Sequence, residues 1–180
     1  MSPCEQLVTQ ALSHPLVKSM IRGLNDAGCA FDLVRNVVCE PIDGGLAGGY
    51  DLEHNQVVLC SNKCQDLDKV SNILAHELVH MYDNCVAKVN WKNINHLACS
   101  EIRAAALAHC AGPVSAALHD GAPWSPGHSH TDCVKGKASK SVQAILRCSK
   151  VEADVAVDRV FVNCYNDKEP VGHHKCYTYL

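Results

Sequence analysis

The chain has 180 residues, the length of one domain or of one domain with appendages, and 47% of them are hydrophobic, enough for one sizeable core. A formal net charge of −3 argues against a broad nucleic-acid surface, and 5% aromatic residues favour a core of Leu, Val, Ile and Ala in a mainly helical protein over a sandwich. No apolar run reaches the roughly 18 to 20 residues that cross a bilayer, and Met1-Ser2-Pro3-Cys4-Glu5-Gln6 lacks the basic start and apolar core of a secretory signal, so any membrane relationship is expected to be peripheral.

In chain order, residues 4–24 space Leu7, Val8, Ala11, Met20 and Leu24 mostly by threes and fours, which predicts one helix bent at Pro15 or two short ones. Residues 31–39 are rich in strand formers. Pro41 and the Gly44-Gly45 and Gly48-Gly49 pairs predict a turn or hairpin, and residues 56–60 form a second strand. Residues 65–87 hold no Gly or Pro and predict a long helix that Asp66 or Asp68 caps. After a link at 91–95, residues 96–111 predict a further helix whose small side chains allow close packing. Residues 112–132 are broken by Gly and Pro and predict a surface loop with a short helical turn at 114–119, and 137–164 resume one long helical pattern that 166–170 stops. The stretch 133–151 carries Lys135, Lys137, Lys140, Arg147 and Lys150 without one acidic residue; it reads first as a solvated helix face, otherwise as a surface for an anionic membrane or partner.

The chemistry lies in the long helix, at His76-Glu77-Leu78-Val79-His80. Histidines four apart share one helix face, so both imidazoles can reach one tetrahedral Zn²⁺ while Glu77 stands by the open coordination position as general base. In a shuffled chain of this His and Glu content the motif arises with a chance of about 0.03, so its flanks carry the weight. They are those of a buried helix: Leu74, Ala75, Leu78, Val79 and Met81 are apolar. A catalytic zinc needs a third protein ligand. Position 86 is Val, which excludes the pattern with a third histidine six residues after His80. Glu101, on the next helix, is the first candidate, with His96 and Asp83 as alternatives; Asp83 would otherwise orient a ligand imidazole. The hairpin strand through Gly48, Gly49 and Tyr50 is the candidate substrate-binding border, holding an extended peptide by its backbone. An oxyanion partner is not specified: Tyr82, Tyr165, Tyr177 and Tyr179 are candidates without a supporting pattern.

Twelve cysteines spread from Cys4 to Cys176 point to an oxidising compartment, because cytosolic thiols are kept reduced. Cys60-x-x-x-Cys64 has no second short pair to complete a zinc finger. Oxidation without a signal peptide is a contradiction that composition leaves open.

Three stretches, 76–85, 96–105 and 160–170, closely resemble a family of mitochondrial inner-membrane-associated metallopeptidases that help assemble ATP synthase. The likeness extends to Cys39-Glu40-Pro41 and Gly48-Gly49-Tyr50-Asp51 and so covers about Cys4 to Pro170. Cys64, Cys148 and Cys176 stand as extra cysteines, and 112–130 departs from the family segment. The resemblance implies an intermembrane-space protein, peripheral to the inner membrane and imported by the cysteine-oxidising machinery, which removes the contradiction. It implies processing of the precursor of the mitochondrially encoded subunit 6 of ATP synthase and a separate part in assembling that enzyme's membrane sector. His76, Glu77 and His80 carry over as ligand, base and ligand.

The combined reading is an α+β, mainly helical, zincin-like single domain of the minimal gluzincin type, disulfide-stapled, with a small sheet before the motif helix. One unit is expected over 1–180, its core about 4–170 and its tail 171–180, with one catalytic Zn²⁺. The alternatives are a non-proteolytic assembly chaperone and, from the naming of some relatives, a Ku-associated binding protein of DNA repair. The last predicts reduced thiols.

Overall fold

A computed structural model describes residues 1–110 and 129–172. The helical turn expected at 114–119, and all but the first two residues of the expected tail, lie outside the described residues. Two short helices open the chain, α1 (Pro3–Ala11) and α2 (Pro15–Asp26), so Pro15 starts a helix at its first position, where its missing N–H costs nothing. Residues 31–39 are not a single strand. Asp32 accepts from Arg35 N and caps a helical turn, α3 (Leu33–Asn36), and only then does β1 (Val37–Glu40) begin. The side-chain oxygen of Asn36 accepts from Asp32 N and its amide donates to Asn55 O, and this local bonding outweighs the strand propensity of Leu33 and Val34.

β2 (Gly48–Asp51) and β3 (Gln56–Cys60) complete a sheet of order β1-β3-β2, with β1 parallel and β2 antiparallel to β3. β2 is thus an edge strand. A Cβ at Gly48 would lie 2.6 Å from Ile73 Cγ2, so a residue without a side chain lets β2 lie against the motif helix.

A 3₁₀ turn (Ser61–Lys63) leads into α4 (Leu67–Val86), capped by Asp66, whose side chain accepts from Lys69 N at 2.8 Å. α4 buries both sides. Val70, Leu74, Ala75, Leu78 and Val79 join α1, α2 and β3 in a first apolar core. Glu77, His80 and Asp83, also buried, are polar and need partners in the protein. His80 and Asp83 find them on α5 (Ile94–Ala104), which runs into a π-helical turn (Ala105–His109). Leu97, Ala98 and Ile102 of α5 build a second core with α6 (His130–Leu146) and α7 (Lys150–Asn166). The long helix expected over 137–164 is therefore two. Arg147 takes a left-handed conformation at φ 52°, and Ser149 with Glu152 forms a capping box that starts α7.

Disulfides Cys4–Cys39 and Cys29–Cys85 lie in the first half, Cys99–Cys164 and Cys110–Cys133 in the second. Cys60, Cys64 and Cys148 are free thiols, and Cys176 is outside the described residues. No helix among the described residues is long and apolar enough to cross a membrane.

Candidate metal centre

One turn of α4 separates His76 from His80, and their Nε2 atoms stand 3.1 Å apart. Glu101 reaches in from α5, with Oε1 3.4 Å from His80 Nε2 and Oε2 3.6 Å from His76 Nε2. Zinc bonds of about 2.0–2.1 Å directed to the corners of a tetrahedron place neighbouring ligand atoms about 3.3–3.4 Å apart. The imidazole separation and the distance from each imidazole to its nearer Glu101 oxygen all lie within a few tenths of an ångström of that edge, so the donor set suits a single ion of this kind. Glu101 Oε2 and His76 Nδ1 are buried without a hydrogen-bond partner among the described residues, and Oε2 is one of the converging atoms. His76, His80 and Glu101 form the cluster among the described residues that could hold a metal.

His80 Nδ1 lies 2.7 Å from Ser100 Oγ, and the Ser100 hydroxyl donates to Asp83 Oδ2 at 2.7 Å. With its proton committed to the carboxylate, Ser100 accepts from Nδ1–H, which leaves the Nε2 lone pair facing the cluster. Arg103 Nε donates to Asp83 Oδ1 at 3.0 Å, pairs with the Asp167 carboxylate, and donates from Nη2 to Glu169 O at 2.6 Å. Asp83 is therefore no part of the cluster and orients the His80 ring through Ser100. His96 is exposed, and its Nδ1 accepts from Asn90 N at 3.1 Å.

Burial sets the charges of this site. It lowers His76 well below the ordinary imidazole value, aided by His80 and Lys137, and with His109 it takes His80 to about 4. Burial and then the Glu101 charge push Glu77 up to about 8, and burial pushes Glu101 to about 7. Without a cation, and between about pH 4 and pH 7, the cluster keeps neutral imidazoles and protonated carboxyls. A dication would displace the Glu101 proton.

The cluster opens into a cleft of about 450 Å³, lined by His76, Glu77 and Glu101 and reached by Gly48 from β2. Gly49 has no neighbour that would meet a Cβ within 4 Å. Tyr50 points its hydroxyl elsewhere: it bonds Asn55 Oδ1 at 2.6 Å and accepts from Asn84 Nδ2 at 3.1 Å. Asn84 Oδ1 in turn accepts from Trp91 Nε1 at 3.1 Å, and the Trp91 ring meets His80 edge-on at 5.8 Å. Of the tyrosines, Tyr82 lines a different cavity, beside Glu169 and Pro170, Tyr165 bonds His130 Nδ1 at 2.7 Å, and Tyr177 and Tyr179 lie outside the described residues. Ser100, Arg103, Trp91 and His109, whose ring centroid is 4.7 Å from that of His76, were not singled out by pattern. The one available hint was Ser100 beside Glu101.

Comparison with known proteins identifies peptidase relatives. The chain is 39% identical over 172 residues to the mitochondrial inner membrane protease ATP23 homolog of Homo sapiens, an alignment covering 92% of this chain and 68% of the relative. For the homolog of Danio rerio the figures are 36% over 173 residues, 94% and 66%, so the chain spans just under two thirds of that relative. For the mitochondrial inner membrane protease atp23 of Schizosaccharomyces pombe they are 33% over 170 residues, 93% and 90%. No solved structure matches. Residues 2–172 match the Peptidase M76 family, and the chain belongs to that family.

Proposed function

We propose that this chain is a zinc metalloendopeptidase of the mitochondrial intermembrane space, peripheral to the inner membrane, with His76, His80 and Glu101 as ligands and Glu77 as general base. The observation that carries the reading is the convergence of ligand atoms from His76, His80 and Glu101, all within 4.8 Å of one another, with Glu77 in the same cleft. Zinc there would supply Lewis-acid polarisation of a peptide carbonyl and of water. A Glu77 carboxylate oxygen takes the proton of the attacking water and passes it to the leaving amine nitrogen. Gly48, Gly49 and Tyr50, on the open edge of β2, hold the extended substrate by backbone hydrogen bonds, while the Tyr50 side chain braces Asn84 and Trp91 behind His80.

The relatives named as inner membrane proteases support the compartment, and four disulfides favour it over a reduced nuclear one. The substrate in this reading is the precursor of ATP synthase subunit 6, with an additional part in assembling the membrane sector. Glu77→Gln is the test. Cleavage of the precursor should fall by about 10²–10⁴-fold while zinc content stays at one ion per chain. Unchanged cleavage sinks the peptidase reading, and intact assembly in the variant assigns the second role to a non-proteolytic surface.

A further inference from the structure

The walls of the cleft carry one sign of charge. Its two carboxylates, Glu77 and Glu101, are both at the reacting centre, whereas Lys63, Lys69 and Lys137 enter from three separate elements: the 3₁₀ turn, the first turns of α4, and α6. Lys63 Nζ donates to Gly44 O at 2.7 Å and Leu46 O at 2.9 Å, which fixes its ammonium on the lip in advance of any ligand. Lys69 Nζ lies 3.3 Å from Asp66 in an exposed pair, the kind worth little and readily exchanged. Lys137 and Ser141, four apart on α6, both face the cleft. Converging cations over a recessed, low-dielectric floor focus their field on whatever lies between them.

We propose that this cleft selects peptides carrying acidic side chains about three residues from the scissile bond. The proposal rests on the peptidase reading and adds its substrate class. The spacing follows from α4: Lys69, Ile73 and His76 share one face, and the seven residues from Lys69 to His76 rise about 10 Å along the axis. An extended peptide lying along β2 advances about 3.3 Å per residue, so a side chain three residues from the bond held at the metal reaches Lys69.

The test uses the full-length Glu77→Gln protein loaded with zinc and dye-labelled decapeptides that differ only in having Asp, Asn or Lys three positions either side of the centre. Fluorescence anisotropy should rank binding Asp over Asn over Lys, with Asp roughly 5- to 20-fold tighter than Asn at low salt and the gap closing at 0.5 M KCl. Adding Lys69→Glu, an exposed position, should narrow or reverse the ranking of Asp against Lys. Equal binding of the three, a preference for Lys, or no binding at any salt overturns the proposal. The same peptides offered to the unsubstituted enzyme separate the two readings. Equal cleavage of all three overturns charge selection and leaves the peptidase standing; charge-ranked binding with no cleavage of any leaves charge selection standing and overturns the peptidase.

Discussion

The two apolar cores of this molecule are closed in the same way and joined in a different one. The first packs α1, α2, the sheet and the apolar side of α4, and the second packs α5, α6 and α7; each contains two disulfides. Among the described residues no disulfide runs from one to the other. α5 and the π-helical turn after it do send Ala104 and Ala108 into the first core, but α4 and α5 also meet through polar residues: the buried His80 and Asp83 and the partly buried His76 on one side, the buried Ser100, Glu101 and Arg103 on the other. Stability therefore resides within the halves, and geometry at the site depends on how the halves meet. A metal with two ligands from α4 and one from α5 would be a cross-link between them.

That contrast can be broken most forcefully at Arg103. Its removal leaves Asp83 buried without its cation and frees Asp167 and Glu169 from α5, so Arg103→Ala should cost about 3–5 kcal/mol in urea unfolding. A smaller cost follows the disulfides. Replacing Cys99 and Cys164 by Ala should cost about 2–4 kcal/mol, with faster amide exchange in α5 and α7 and little change in α1 and α2, and replacing Cys29 and Cys85 should do the reverse. Loss of protection spread evenly over both halves would show that they do not behave separately.

Finer tests address the seam. Ser100→Ala removes the acceptor that fixes the His80 tautomer and should weaken zinc binding about 10- to 100-fold in competition with a chelator, leaving the fold intact by circular dichroism. The smallest effect is that of pH. The Glu101 pKa in the metal-free site is raised to about 7, so the carboxyl holds a proton below that pH and must release it to bind the ion, while His80, lowered to about 4, offers no competition. Apparent zinc affinity should thus be level above pH 7 and fall by up to about tenfold per pH unit below it, and titration calorimetry in buffers of different ionisation enthalpy would detect the released proton. An affinity unchanged between pH 5 and 8 would show that ion binding displaces no proton from Glu101 in that range.

What could be read from the residues follows the range of the forces involved. Asp66 as cap, the uninterrupted α4, β3 at 56–60 and the approach of Glu101 all depend on spacing within one or two elements, and each appears in the structure where the pattern places it. Residues 33–36 were misread because strand propensity in Leu33 and Val34 was overridden by the Asp32 cap and by Asn36 reaching Asn55, nineteen residues away. The break between α6 and α7 was legible in principle, since Ser149 and Glu152 have capping-box spacing, but apolar periodicity continued across it. Arg103 could not be placed: its partners at 83, 167 and 169 meet only when three helices pack.

The arrangement of the disulfides also bears on the order of events in a chain that emerges from its N-terminus. Both bridges of the first half close between cysteines no later than Cys85, and both bridges of the second begin no earlier than Cys99. Among the described residues, both bridges of the leading half can close without any trailing cysteine, and so before the trailing half is present. The histidines would then wait, already held on a finished scaffold, for Glu101 to arrive.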